Sequence, residues 1–304
     1  MVIYGTQQKI KFNDLLLTIG NFDGVHRGHK KILERMIIEK NSHGGSIAAY
    51  TFDPHPQAFF KKEIEHLLTP LDEKIQLLER AGVDIIIVEK FTQILADMDT
   101  QTFFNNIIVE KIHPKKIYTG TNFRFGKNRE GDVKVLEALT RLSHIDYEPI
   151  GPLYNNDDGN RVSSSAIRKF LEQGKVLEAA DYLGRAYSIH GLVVTGKAVG
   201  RKIHVPTANI NGDSFIIPKD GVYAVTIEYE GKKYNGVANI MIRDQKPLLE
   251  VHFFNFSQTI YDKKIRVHFI ERIRDEMIFQ NQDALKSQIL QDILQARKIL
   301  KIND

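Results

Sequence analysis

Four short apolar runs in the first half of the chain, LLLTIG at 15–20, SIAAYTF at 46–52, DIIIVEKF at 84–91 and KKIYTG at 115–120, alternate with amphipathic stretches. That alternation leaves few folds open. The runs have the length and flanking turn residues of buried strands, and the stretches at 25–40, 70–81, 100–112 and 131–142 carry apolar residues at helical spacing. The helix at 70 has a start signal, with Thr69 as cap, Pro70 in the first turn and Asp72 three residues after the cap. Repeated strand–helix–strand order predicts an α/β doubly wound parallel sheet, whose ligands bind beyond the carboxyl ends of the strands.

The pattern changes near YLGRAYSIHG, residues 182–191. Beyond it SIHGLVVTG, GVYAVTIEYEGKKYNGVANI, LEVHFFNF and KKIRVHFIERI read as strands, with a hairpin turn inside YEGKKY. NQDALKSQILQDILQARKIL, near the end, has helical periodicity. A small, mostly antiparallel β-barrel closed by one C-terminal helix is expected. A chain of 304 residues suits two domains of ordinary size, here 1–184 and 185–304.

Composition narrows the chemistry. The chain has no cysteine, which excludes disulfides, thiolate metal sites and a cysteine nucleophile. No apolar stretch approaches the ~20 residues that cross a bilayer, and the N-terminus lacks a basic segment followed by an apolar block. A soluble cytoplasmic protein is expected, without a membrane partner. The net charge of +4 is too small to argue for nucleic acid.

GNFDGVHRGHKKIL, residues 20–33, sets His26 and His29 three positions apart where a strand hands over to a helix. Both can face one ligand there, and the unpaired N–H groups and dipole of the first turn favour an anion. Gly24 and Gly28 keep side chains out of the approach. A metal at the pair would need a third ligand, which nothing nearby supplies convincingly. Three further segments follow: TFDPHPQ at 51–57, GTNFRFGKNREGD at 120–132 and RVSSSAIRKFL at 161–171. Each follows a strand or opens a helix, so all can meet at one rim. Ser164 and Ser165 at a helix start, with Arg168 on its next turn, offer hydroxyls, backbone N–H groups and a planar cation, a set suited to a polyphosphate.

GNFDGVHRGH, TFDPHP, GTNFRFGKNREGD and RVSSSAIR, in this order over residues 15–184, resemble the adenylyltransferase half of the bacterial bifunctional riboflavin kinase/FAD synthetase family. This half is an HxGH nucleotidyltransferase with a Rossmann-like sheet. The resemblance implies transfer of AMP from ATP to FMN, giving FAD and pyrophosphate. It implies that His26 and His29 bind the triphosphate and stabilise charge on the α-phosphate, with Gly20, Phe22, Asp23, Gly24 and Gly28 in the same loop. Ser164, Ser165 and Arg168 would hold the departing phosphates, and Asn122, Phe123, Arg124 and Phe125 would lie near the nucleotide or flavin. The family often has threonine at Ser165 and aspartate at Asn122, changes that keep hydrogen bonding. FMN brings an ionised phosphate as nucleophile, so positioning and charge neutralisation carry the rate, with Mg²⁺ chelated mainly by substrate.

VTGKAVGRKIHVPTANI at 194–210, YNGVANI at 234–240 and LEVHFFNF at 249–256 resemble the riboflavin kinase half of the same family. The resemblance implies that Gly196 and Gly200 wrap phosphates, Thr207 and Asn209 meet Mg²⁺ and nucleotide, and Glu250 takes a proton from the ribityl hydroxyl. Two departures stand out. His204 and Val205 replace the usual glycine and phenylalanine before PTAN, and only residues 241–249 separate Ile240 from Glu250. On these grounds the sequence reading favours an FAD synthetase with a weak or inactive kinase half. The bifunctional enzyme is the alternative, and a non-catalytic flavin or nucleotide sensor is the second. Transferases acting on pantetheine phosphate or nicotinamide mononucleotide fit the first half alone, and the kinase-like half argues against them.

Overall fold

The computed structural model describes residues 1–6, 12–61, 67–195, 206–212, 215–243 and 246–302. It divides into two compact units, Met1–Ser163 and Ser164–Asp304.

In the first unit six strands form one parallel sheet: β1 (Val2–Tyr4), β2 (Leu15–Ile19), β3 (Ser46–Asp53), β4 (Ile85–Lys90), β5 (Lys116–Gly120) and β6 (Asp146–Ile150). Their spatial order is β1-β4-β3-β2-β5-β6, every pairing parallel. The chain steps from β2 outward through β3 and β4 on one side and through β5 and β6 on the other. The crevice between the ends of β2 and β5 is therefore a topological switch point, where such sheets bind ligands.

Helices α1 (Arg27–His43), α2 (Pro56–Lys61), α3 (Leu71–Arg80), α4 (Gln93–Ala96), α5 (Thr100–Phe103) and α6 (Val133–Leu142) connect the strands, and a π-helical stretch, Phe104–Ile112, continues α5. Because side chains alternate along a strand, the sheet has two apolar faces. Leu16, Ile47 and Ile86 pack against Ile32, Leu33 and Met36 of α1 and Leu77 and Leu78 of α3. Leu17, Ala48, Ile87 and Ile117 pack against Phe104, Ile108 and Leu136.

The four strands and four helical stretches expected from the sequence are all present. Thr69 is a correction. Pro70 occupies the cap position of α3 and no side chain caps the helix. Thr69 instead donates its N–H to Asp23 Oδ1 at 3.0 Å and accepts the Gly24 N–H at its hydroxyl, at 2.8 Å.

The second unit opens with α7 (Ser164–Glu172) and α8 (Val176–Leu183), followed by β7 (Tyr187–Val194), β8 (Ala208–Ile210), β9 (Gly221–Tyr229), β10 (Lys232–Arg243), β11 (Lys246–Phe253), β12 (Lys264–Arg274) and α9 (Gln282–Ile299). The strands close a barrel in the order β10-β11-β8-β7-β12-β9, with the described pairs antiparallel. Glu230 and Gly231 both take positive φ between Tyr229 and Lys232, the geometry of a two-residue hairpin that follows strand twist. Alternate residues, Ala238, Ile240, Leu249 and Val251, are fully buried in the barrel interior. Val222, Ala224 and Val237, of the opposite parity, pack outward against Ala296 of α9. Arg274 clamps α9 through a bidentate pair with Asp292, at 2.8 and 2.7 Å.

Candidate functional site

The loop from β2 to α1 carries the histidine pair. Phe22 and Val25 take φ of 49° and 37°, in a left-handed region costly for a β-branched residue. Their side chains, both buried in the core beneath α1, hold the backbone there. Gly24, at φ 87°, points its N–H to Thr69. Asp23 is buried and spends Oδ1 on Thr69. Thus Phe22 and Asp23, expected beside a ligand, turn inward and shape the loop.

His26 is the N-cap of α1, its Nδ1 accepting the His29 N–H at 3.3 Å. A neutral imidazole that accepts at Nδ1 carries its proton on Nε2, which is then a donor. The two rings stack, with centroids 3.7 Å apart and planes 15° from parallel. A Cβ on Gly28 would sit 3.1 Å from the His26 ring, so this glycine makes room for the imidazole. Gly20 lies at the end of β2, its N–H bonded to Tyr50 O.

Burial, then the neighbouring charge of His26 and of Lys74, holds the His29 imidazole well below its ordinary pKa, so it is neutral at pH 7. Its Nδ1 is buried with no hydrogen-bond partner among the described residues, a polar atom left for a ligand. Lys74, on α3, was not a sequence candidate. It is 3% exposed, its Nζ lies 3.3 Å from Thr51 Oγ1, and burial lowers its pKa against the attraction of Asp23 and Asp53. On a predicted amphipathic helix a lone lysine reads as solvated, so only the fold reveals it.

Across the switch point, Asn122 and Arg124 follow β5 and are exposed, and Arg124 pairs with Asp132 at 3.3 Å. Phe125 is core, packed with Phe103, while half-buried Phe123 stacks on it at 5.6 Å. Ser164, Ser165 and Arg168 open α7 in the second unit, where α7 packs on α8. Ser165 is exposed, and Ser164 and Arg168 are half-buried.

In the barrel, the expected phosphate-wrapping glycines Gly196 and Gly200, together with His204 and Val205, lie outside the described residues. Residues 241–249, expected as a shortened loop, are mostly strand: Met241, Ile242 and Arg243 pair with Leu248, Pro247 and Lys246. Among the described residues the two strands thus stay in antiparallel register across this segment. That ladder fixes Glu250 opposite Asn239, and the next pairing sets Glu250 opposite Asn209. Half-buried Thr207 lies just before β8. Pro206, beside it, is tied to β11 by a 2.9 Å contact from its carbonyl oxygen to His252 Nδ1. Burial lowers the His252 pKa against the influence of that bond, and since a carbonyl only accepts, Nδ1 is the donor. Among the described residues no group of three or more His, Asp or Glu is placed to hold a metal ion. Asn209 Oδ1 is buried without a partner among them, an oxygen of the type hard cations take.

Comparison with known proteins agrees with both halves. An FAD synthetase family model matches residues 8–166 and a riboflavin kinase model residues 183–300. Curated relatives called bifunctional riboflavin kinase/FMN adenylyltransferase include one from Haemophilus influenzae, 37% identical over 92% of each chain. Another is from Escherichia coli, 35% identical over 93% of this chain and 92% of its own. A third, from Bacillus subtilis, is 33% identical over 91% and 90%. A crystal structure from Streptococcus pneumoniae, described as a macrolide-efflux protein, covers 100% of this chain and 99% of its own, with TM-score 0.89 and 26% identity. Among the described residues no helix is long and apolar enough to cross a membrane. The names and the coverage of both family models favour two activities over an adenylyltransferase with a silent kinase half.

Proposed function

Since the chain belongs to the bifunctional riboflavin kinase/FMN adenylyltransferase family, we propose that it carries out both reactions, the barrel making FMN from riboflavin and the parallel-sheet half converting FMN to FAD. The observation that carries the two-activity reading is the strand register that holds Glu250 between Asn209 and Asn239, in a ladder that keeps step from Gly236↔Phe253 to Arg243↔Lys246. The boundary between the two activities is put at about residue 184, beside the start of the kinase-family match at 183.

In the kinase step the terminal ribityl oxygen of riboflavin attacks the γ-phosphorus of ATP. Its proton passes to Glu250, the new O–P bond forms, and the bond to the β–γ bridging oxygen breaks to release ADP. Thr207 and Asn209 would hold Mg²⁺, their oxygens suiting a hard cation. When bound with ATP, that ion neutralises phosphate charge.

In the adenylyl step a phosphate oxygen of FMN attacks the α-phosphorus, the bond to the α–β bridging oxygen breaks, and pyrophosphate leaves. No proton need move. His26, capping α1 and donating from Nε2, and neutral His29 serve as preorganised donors to the triphosphate at a helix N-terminus. Gly20, Gly24 and Gly28 shape their loop, and Ser164, Ser165 and Arg168 take the leaving phosphates. Asn122, Phe123 and Arg124 line the flavin or nucleotide side, with Phe125 behind them. The reading implies a cytoplasmic enzyme whose partners are ATP and flavins, without nucleic acid.

The test is purified protein with ATP, Mg²⁺ and either FMN or riboflavin, followed by chromatography of the flavins. FAD from FMN, and FMN and FAD from riboflavin, are expected. Product from FMN alone would return the barrel to a remnant, and flavin binding without product from either would favour a sensor.

A further inference from the structure

The outer face of the barrel carries a transverse row of side chains. Pairing places Asn209 of β8 beside Glu250 of β11, Glu250 beside Asn239 of β10, Asn239 beside Val222 of β9 and Val222 beside Arg274 of β12. Directly paired residues on neighbouring strands project to the same face. Interior positions between them, such as Ile240 and Leu249, are buried, and Val222 packs under α9. The row therefore emerges from the edge of α9 and continues through three polar residues.

Two of these residues share an unusual property. The Oδ1 atoms of both Asn209 and Asn239 are buried with no hydrogen-bond partner among the described residues. An unpaired buried acceptor is costly, and two of them flanking a carboxylate mark a surface that wants hydrogen-bond donors. Only one side of Glu250 has an expected occupant. Asn209 adjoins Pro206 and Thr207, held by His252, which is the nucleotide and metal side under the proposed function. Asn239 lies on the other side of Glu250, one strand spacing away and next to the apolar edge at Val222. A ligand meeting Glu250 and Asn239 together needs adjacent hydroxyl donors on a flexible chain.

We propose that Asn239 binds the acceptor substrate of the kinase reaction, taking a hydrogen bond from a secondary hydroxyl of the polyol chain while Glu250 receives the proton of its terminal hydroxyl. Asn239 is thereby a specificity residue for a polyhydroxylated flavin. The inference rests on the kinase reading.

The experiment measures FMN formation by the full-length protein, wild type and Asn239→Ala, varying riboflavin and ATP separately. Loss of one hydrogen bond to the acceptor should raise the KM for riboflavin about tenfold while the KM for ATP stays within about twofold. Asn239→Ser, which keeps a small polar group, should recover part of the loss. A flavin bearing a plain hydroxypentyl chain, with a terminal hydroxyl and no secondary ones, should be phosphorylated equally by wild type and Asn239→Ala. A general packing defect would not produce that equality. An unchanged KM for riboflavin, a rise in the KM for ATP instead, or an equal penalty on the hydroxypentyl flavin would overturn this assignment alone. No FMN from riboflavin with the wild-type protein would overturn the kinase reading and this assignment with it.

Discussion

His26 and His29 hold their imidazoles face to face, 3.7 Å between centroids, with His29 buried and neutral. Protonating His29 would place a cation in a buried site against the face of the His26 ring and under the repulsion of Lys74. In the folded chain its pKa lies below the unfolded value of about 6.5, so the unfolded state binds the extra proton as the pH falls. The stability contributed by a neutral His29 is full above about pH 6.5 and is lost as the pH falls toward its folded pKa. Urea midpoints at about pH 7.5 and 5.5 should therefore differ less in His29→Gln than in wild type. Equal differences would sink this reading of the pair.

Removing the His29 ring altogether tests its chemistry. His29→Ala should slow FAD formation from FMN by roughly 10² to 10³, the scale of losing one preorganised donor to developing phosphate charge. Undiminished turnover in a folded variant would refute the role of the pair.

Lys74 couples to the same imidazole. Its positive charge lowers the His29 pKa, so Lys74→Met should make His29 titrate at higher pH. NMR titration of the His29 ring reads this directly, and an unmoved or lower titration would show that the two groups do not interact.

The clamp from Arg274 to Asp292 has a mechanical consequence for the barrel. Asp292 is 4% exposed, and both its oxygens meet the guanidinium. Asp292→Ala leaves a cation partly buried without its partner, and should destabilise the second unit by about 3 kcal/mol in urea unfolding. A change below about 0.5 kcal/mol, within the range of surface substitutions, would mean that the helix is held by its apolar contacts alone.

His252 acts through Pro206. His252→Ala releases the segment that carries Thr207, so the KM for ATP in riboflavin phosphorylation should rise roughly three- to tenfold, while FMN adenylylation is unaffected. Equal loss of both activities would contradict this division of labour.

The architecture was legible where burial is total and periodic. LLLTI and IIIV read as buried strands because both sheet faces are covered, and the Glu230–Gly231 turn was readable from its chemistry. The sheet edges were not legible. Val2–Tyr4 has only three residues, and Asp146–Ile150 is polar with a proline, which an edge strand tolerates. The histidine pair was legible because its ligand-facing logic is local to one helix start. Thr69, Lys74 and Asn239 were not, since their partners are Gly24, Thr51 and Glu250, respectively 45, 23 and 11 positions away. A cap signal at Thr69 and a solvated lysine at 74 are the readings local context favours, and tertiary pairing overrides both.

The ladder that pairs Asn239 with Glu250 also governs how this gene segment can change length. The pairs from Met241↔Leu248 to Arg243↔Lys246 are closed by backbone groups, which nearly any side chains permit. Adding or deleting one residue in each of these two strands leaves Glu250 facing Asn239. A single-residue insertion in one strand reverses every side chain beyond it, unless a bulge absorbs the extra residue. Evolutionary drift in these strands should therefore proceed in paired steps, with the carboxylate as the fixed point from which the steps are counted.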